Sequence, residues 1–553
     1  MDYKKLANLL YPNVKYTFDE VMEKYPKRNL ENGQEVMRFA PSPTGFFHIG
    51  GLYSALISYL TAKNTNGVFY LRLEDTDQKR LVKGSADIVV DCLDFFNVVP
   101  NEGFAGEGKK EKGIYGPFIQ SQRLELYHTF AKELVLRGKA FPCFCEKLEG
   151  IEEIREKRQE LLEETDDIAQ KDPCRNLTYE EIEANIKQGK PFALRLKSEG
   201  DANKTFEFKD EIRGKKEIRE NEKDIVLVKS NGIPPYSLAH IVDDTLMGTT
   251  TVVRGEEWYP SLPAHLEIFK ALSLPFPKYA HTPVMCKLDE ESGNKRKLSK
   301  RKDPESNAMF FIENGYPPVP VVEYVLNLLN SDFEIWRTKN PDLSYEEFPF
   351  SIKKIGINNP MFDIIKLENY SKTYISKLSA VNLYSNIVSW AEKFSPAFGE
   401  FLKQNKELAI SALNIDRENP KPRKDIAKYA EVESYFDYIW FDSYKQLASF
   451  DEVNLNTSNR EETIKKVLSG YAKIYSLKDD KQTWFDRIKA FADEIGFAGD
   501  TKAYKQNPEN YIGSVADITS IIRIALTGRK NTPDLYEIMK ILGDKRIQER
   551  LAK

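Results

Sequence analysis

Residues 36–60, VMRFAPSPTGFFHIGGLYSALISYL, constrain the fold more than any other stretch. A short apolar run gives way to Pro41-Ser42-Pro43-Thr44-Gly45, then to His48-Ile49-Gly50-Gly51, then to a pattern of helical period. The order reads as strand, tight glycine-bearing turn, helix. Such a turn sets backbone N–H groups and a helix N-terminus beside whatever binds there, and both favour phosphate. Gly50 and Gly51 carry no side chain, so a nucleotide can lie against the backbone. His48 can donate a hydrogen bond to a phosphate oxygen.

Far downstream, residues 294–302 form a very basic stretch containing Lys297-Leu298-Ser299-Lys300-Arg301. Two lysines and an arginine on a loop suit a developing pyrophosphate, whose charge must be neutralised in the transition state. Ser299 taken alone is a turn residue, since Asn294-Lys295 already signals a turn. The two segments together resemble the HIGH and KMSKS signatures of class I aminoacyl-tRNA synthetases. The version RFAPSPTG-x-x-HIGG with KLSKR is similar to the bacterial type of glutamyl-tRNA synthetase.

The resemblance implies an α/β fold: a Rossmann-type catalytic domain split by an α/β insertion, then a stem-contact region and an all-α anticodon-binding region. The expected boundaries are 1–35 for an N-terminal extension, 36–119 and 236–257 for the two catalytic halves, 120–235 for the inserted acceptor-end-binding domain, 258–370 for the stem-contact region and 371–553 for the anticodon-binding region. Family members often begin almost at the RFAPSPTG strand, so the extension, with helical patterns over Tyr3–Leu10 and Phe18–Lys24, is a departure; it reads as a surface cap.

Composition limits how such a chain can meet a polyanion. Its 81 basic and 85 acidic side chains give a formal net charge of −4, so RNA binding needs local basic patches rather than overall charge. Five cysteines in 553 residues make no disulfide framework, which suits a reducing cytoplasm. The N-terminus lacks a signal-peptide pattern, and no apolar run approaches the length of a membrane span. A cytoplasmic monomer is the expectation.

Residues 68–73 read as a parallel strand buried on both faces, ending in Glu74-Asp75-Thr76-Asp77. Ligands in open α/β sheets bind beyond the carboxyl ends of strands. Glu74 is there the candidate for holding an ammonium group, and Arg72 for positioning the acids; the similar R-x-E-D-T-D segment of the family contacts the amino acid. Residues 84–97 form an amphipathic helix, and 115–123 resemble the family's Y-x-Q-S-x-R segment. A charged helical stretch is expected over 146–164. Strands are expected near 192–197 and 206–210, and residues 224–229 are expected to return to the catalytic sheet.

Cys143-x-Cys145 with Cys174 invites a zinc reading. A structural site needs four ligands. Zinc-bearing members place the fourth near the third, and here Asn176 stands in that place; the sequence therefore argues for buried thiols and against zinc.

Residues 232–248 resemble the family's G-x-P-x-Y-x-L-A-x-V-V-D-D-x-L-M-G segment. Tyr236 and His240 are one helical turn apart and can face one pocket. Arg254, at the end of the next strand, can grip a carboxylate through two parallel hydrogen bonds. By resemblance it holds the γ-carboxylate of glutamate, and it selects against glutamine because a neutral amide cannot replace the ionic pair. Thr251 stands where the family often has histidine. The resemblance also implies that Arg38, Ser42, Glu74, Tyr236, His240 and Arg254 hold glutamate. His48, Gly50, Gly51, Trp258, Leu298 and Lys300 would surround ATP, and His48, Lys297 and Lys300, with Mg²⁺, would stabilise the phosphates. It implies tRNA(Glu) as partner, 2′-OH attack on the adenylate, and activation that waits for tRNA. From 371 onward the pattern is helical, and residues 517–538 resemble the last domain of the bacterial enzyme. A glutaminyl-tRNA synthetase tends to carry a PPEPNG-like opening where this chain has APSPTG, and a glutamyl-queuosine enzyme lacks the long helical region.

Overall fold

The computed structural model describes residues 1–145, 172–289, 291–299 and 301–552. Lys300 and the helix expected over 146–164 lie outside the described residues. Two compact units divide the chain: residues 1–310 with 322–363, and residues 311–321 with 364–553.

The first unit begins with helices α1 (Tyr3–Leu10) and α2 (Phe18–Lys24). Strand β1 (Val36–Phe39) follows, then helix α3 (Ile49–Asn64), β2 (Val68–Leu71), α4 (Ser85–Phe95), β3 (Glu102–Gly103) and α5 (Leu124–Leu136). The chain then passes through β4 (Ala140–Cys143), β5 (Ala193–Leu196), β6 (Thr205–Asp210), β7 (Gly214–Arg219) and β8 (Val226–Val228). The helix Tyr236–Leu246 leads to β9 (Thr251–Gly255), and β10 (Lys278–Thr282) follows; β11 (Cys286–Leu288) and β12 (Lys295–Lys297) form an antiparallel hairpin.

Five of these strands make one parallel sheet in the order β10-β9-β1-β2-β3. All four residues of β1 are buried, as expected for a strand covered by helices on both faces. From β1 the chain first builds outward through β2 and β3. It then returns to build the other way through β9 and β10. The order therefore reverses between β1 and β9, and crevices for ligands open at such a switch point, beyond the carboxyl ends of the strands.

Two expectations need correction. Val226–Val228 does not rejoin the parallel sheet: it pairs antiparallel with β5, in a separate sheet ordered β4-β5-β8. A short apolar run announces a buried strand but not its neighbour. The parallel sheet in turn takes its fifth strand, β10, from beyond residue 257, where the second catalytic half was expected to end.

The N-terminal extension lies against α5. Phe18 meets Phe130 edge to face at 4.9 Å, and Lys132 donates to the carbonyl of Tyr11 at 3.1 Å. Arg28 donates twice to Glu102, at 3.0 and 2.7 Å, and once to the Met247 carbonyl at 2.7 Å, joining the extension to the sheet edge and to the helix Tyr236–Leu246. The β6–β7 hairpin packs Phe208 and Ile218 against Val252, Leu262, Leu266 and Tyr279.

The second unit is helical among its described residues, around a core that includes Leu383, Ile387, Val467, Tyr471, Ile488, Ile518, Ile522 and Ile538. Within it, residues 396–414 form two helices, Pro396–Gln404 and Lys406–Asn414, broken at Asn405.

Candidate active site

The turn after β1 is shaped by His48. Its backbone is extended, and its Nδ1 accepts from the Gly50 amide at 2.9 Å, capping α3. In the neutral ring this leaves the proton on Nε2. The glycines are closely surrounded: a Cβ on Gly51 would lie 2.8 Å from the Phe47 ring, and one on Gly50 would lie 3.0 Å from His48 Nδ1. Gly51 thus serves packing as well as access. Ser42 is exposed on the same turn.

Arg254, at the end of β9, is 6% exposed. Its Nε donates to His281 Nε2 at 2.9 Å, its Nη1 lies 3.0 Å from His265 Nδ1, and its Nη2 lies 3.5 Å from the Trp258 carbonyl. The guanidinium sits 4.6 Å over the Tyr279 ring. Among the described residues no carboxylate pairs with it. A buried guanidinium held by imidazoles, with no carboxylate directly on it, can receive an anionic group. Three of the chain's five histidines gather here, since the ring of His240 lies 4.7 Å from that of His265.

Tyr236 stacks on His240 at 4.7 Å and meets Trp258 at 4.2 Å. Tyr236 is partly exposed and His240 fully buried, so the two do not line the pocket equally. His240 lies 3.0 Å from Asp244 through Nδ1, while its Nε2 is buried without a partner among the described residues. Burial pushes the imidazole down to about 4 against the opposing pull of Asp244, so the ring is neutral and supports Tyr236 from beneath.

Under these residues lies an ion cluster that the sequence did not reveal. Arg72 donates to Asp244 at 2.8 Å and to Glu74 at 2.9 Å. Arg38 lies 3.4 Å from Asp244 and donates to the Val253 carbonyl at 2.8 Å. Asp243 accepts from Arg123 at 2.6 Å, Gln120 at 2.8 Å and Tyr127 at 2.9 Å. Burial alone would raise the Asp244 carboxyl, but Arg72 and Arg38 hold it well below the usual range. Arg72 thus bonds Glu74, one of the acids it is expected to position. Glu74 keeps about a tenth of its side chain exposed, at the end of β2. Asp243, Asp244, His265 and His281 were missed as site residues. The adjacent acids were visible, but their partners lie far along the chain: Arg38 and Asp244 are 206 residues apart.

The lysine loop follows β12. Leu298 is buried, its amide donating to the Met285 carbonyl at 3.1 Å, while Lys297 is exposed and pairs with no carboxylate among the described residues. Asp303 organises the loop. It accepts from both Nη atoms of Arg296 at 2.6 and 2.8 Å and from the Ser299 amide at 2.7 Å, and these, Arg296 first, hold it at about 2 against the opposing effect of burial. Beyond the loop, His48 bridges to Asn307, and the Ala308 amide donates to the Phe47 carbonyl at 2.8 Å. The turn after β1 is thereby anchored to the chain just beyond the lysine loop.

Folding also changes the zinc argument. The ligand atoms of Cys143, Cys145, Asp172 and Cys174 lie within 4.8 Å of one another. Cys145 and Cys174 are 3.5 Å apart through sulfur, and the Cys143 thiol donates to Asp172 Oδ2 at 2.9 Å. Three thiols and a carboxylate are a donor set that zinc accepts. The fourth donor that the sequence lacked is Asp172, two residues before Cys174 rather than after it, so the ground for discounting zinc falls.

Comparison with known proteins agrees with this geometry. The family described as "tRNA synthetases class I (E and Q), catalytic domain" matches residues 35–336, and "Anticodon binding domain" matches residues 512–553. The chain is 42% identical to a glutamate–tRNA ligase of Clostridium perfringens strain SM101, over 100% of this chain and 99% of that one. It is 43% identical to the glutamate–tRNA ligase of Acetivibrio thermocellus over the full length of both. The crystal structure of a glutamate–tRNA synthetase from Elizabethkingia anophelis superimposes with a TM-score of 0.71 at 25% identity, covering 94% of this chain and 99% of that chain. With a catalytic-domain match over more than half of the chain and relatives aligned along all of it, the protein belongs to the glutamate–tRNA ligase family of class I aminoacyl-tRNA synthetases.

Proposed function

We propose that this chain joins L-glutamate to tRNA(Glu) at the expense of ATP, through a glutamyl-adenylate. The observation that carries the reading is Arg254, a buried guanidinium with imidazole neighbours and no carboxylate partner among the described residues, at the switch point of the sheet. A γ-carboxylate there completes an ion pair; a glutamine amide leaves the guanidinium charge uncompensated.

In this reading the α-carboxylate of glutamate attacks the α-phosphorus of ATP and pyrophosphate leaves. The protein contributes position and charge rather than a covalent bond. Glu74, held by Arg72, receives the ammonium group; Arg38 and Ser42 frame the substrate, and Tyr236, backed by His240, forms its wall. His48 offers Nε2–H to a phosphate oxygen. Gly50, Gly51, Trp258 and Leu298 frame the nucleotide, and Lys297 and Lys300 neutralise the departing pyrophosphate, a task in which a bound Mg²⁺ would share. The terminal 2′-OH of tRNA then attacks the adenylate carbonyl. Cys143, Cys145, Asp172 and Cys174 would hold a zinc ion as a structural tie with no part in the reaction. The enzyme works in this reading as a cytoplasmic monomer. No described helix is long and apolar enough to cross a membrane.

ATP–pyrophosphate exchange and aminoacylation, with glutamate and then glutamine, test the assignment. Arg254→Ala is expected to raise the KM for glutamate by about 30-fold or more, from loss of a buried charged pair worth about 2–5 kcal/mol. An unchanged KM, or charging of glutamine as readily as glutamate by the wild type, would refute it.

A further inference from the structure

Arg254 owes its orientation to a chain of donors that begins in another part of the fold. Its Nε donates to His281 Nε2 at 2.9 Å. A nitrogen that accepts carries no proton, so the neutral ring of His281 holds its proton on Nδ1. That atom lies 2.6 Å from Asp210 Oδ2, and both side chains are fully buried. Donation therefore runs one way, from guanidinium to imidazole to carboxylate. Asp210 ends β6, in the hairpin that packs against the edge of the parallel sheet, and the Glu211 amide donates to the Tyr279 carbonyl at 2.8 Å. The other oxygen of Asp210, Oδ1, accepts from the amides of Ile212 and Arg213, both at 2.9 Å.

We propose that Asp210 and His281 are positioning residues for glutamate recognition, with Asp210 fixing the His281 tautomer and His281 holding Arg254 so that one N–H of Nη1 and those of Nη2 are turned to the substrate carboxylate. The proposal rests on the reading of Arg254 as the γ-carboxylate receptor. A carboxylate placed directly on Arg254 would neutralise it and compete with the ligand. A neutral imidazole takes one hydrogen bond and supplies no countercharge. Asp210, one ring further away, offsets the buried charge without occupying the binding edge. His265 works from the other side, with Nδ1 3.0 Å from Nη1 and Nε2 3.2 Å from the Ser237 hydroxyl. Of the five N–H donors of the guanidinium, Nε and one on Nη1 are thereby used, and the Trp258 carbonyl lies at a long 3.5 Å from Nη2. Enough remain for two parallel bonds to a carboxylate.

Asp210→Asn isolates the tautomer. The Ile212 and Arg213 amides require an oxygen at the Oδ1 position, so the new NH2 faces His281 Nδ1. The imidazole proton then moves to Nε2 and meets the Arg254 Nε–H, donor against donor. The expected result in aminoacylation is a rise in the KM for glutamate of about 10- to 100-fold, the scale of one charged hydrogen bond, with the KM for ATP within about twofold. His281→Gln, which keeps an acceptor for Arg254 and a donor for Asp210, should raise the glutamate KM less than His281→Leu; this pair decides the matter if Asp210→Asn does not fold. A parallel rise in both KM values, or Gln as damaging as Leu, would overturn the proposal. An Asp210→Asn enzyme with unchanged glutamate KM, beside an Arg254→Ala enzyme with a raised one, would remove the relay and leave the Arg254 reading standing. An unaffected Arg254→Ala enzyme would remove the Arg254 reading itself.

Discussion

Asp244→Asn tests the charge balance beneath the pocket. The cluster sets three guanidinium groups, of Arg38, Arg72 and Arg123, against three carboxylates, of Asp243, Asp244 and Glu74. Asp244 alone touches Arg72 at 2.8 Å, His240 at 3.0 Å, Thr249 at 3.1 Å and Arg38 at 3.4 Å. The amide is nearly isosteric, so the substitution removes a charge and little volume. Two charges about 4 Å apart at an effective dielectric of about 20 interact by roughly 4 kcal/mol. That agrees with the roughly 3–5 kcal/mol that breaking a buried pair costs when its partner stays behind. In a unit of this size each kcal/mol moves the thermal midpoint by about 1.4 °C, so the fall is on the order of 4–7 °C. Calorimetry would measure it. Aminoacylation would also report a raised glutamate KM, because Arg72 loses the partner that holds it beside Glu74. A midpoint within a degree of the wild type, together with an unaltered glutamate KM, would refute the idea that this balance holds the site.

Two further outcomes follow from the same geometry. His240 is held neutral by burial, at about 4 against an ordinary 6.5, so the unfolded chain binds the extra proton first as pH falls. Stability from this group is complete above about 6.5 and is lost as pH drops toward 4, at about 1.4 kcal/mol per pH unit, or roughly 3 kcal/mol in all. Urea midpoints at pH 7.5 and 5.0 should differ accordingly and the difference should shrink in His240→Gln; an equal difference in the variant would count against this origin. Protein purified without chelator should hold about one zinc per chain by elemental analysis, and Asp172→Ala should lose most of it. A metal-free wild type would end that reading.

Much of the catalytic framework is legible in residues 36–77, because its signals are local. An apolar run buried on both faces, a proline-bounded turn and a helix capped by His48 each depend on residues a few positions apart. The candidate site was legible only in part. Helical spacing and a strand end mark Tyr236 and Arg254 as candidates, whereas nothing marks the supports of Arg254, since Asp210 and His281 lie 71 residues apart and neither stands in a telling pattern. The same holds for Cys143, Cys145, Asp172 and Cys174: the family pattern points downstream of Cys174, to Asn176, while the chain turns so that Asp172 meets Cys143.

By itself the sequence determined the kinds of element, their order and the chemistry the two basic and glycine-bearing motifs can do, since these follow from backbone preference and from side-chain type along short spans. Tertiary structure decided which strand joins which sheet, sending β8 to β5 and β10 to β9. It also decided which buried charges compensate one another and which guanidinium has no carboxylate partner among the described residues. The physical reason is that burial penalises a charge wherever it lies, and the partner that offsets the penalty is chosen by proximity in space, which no local pattern encodes.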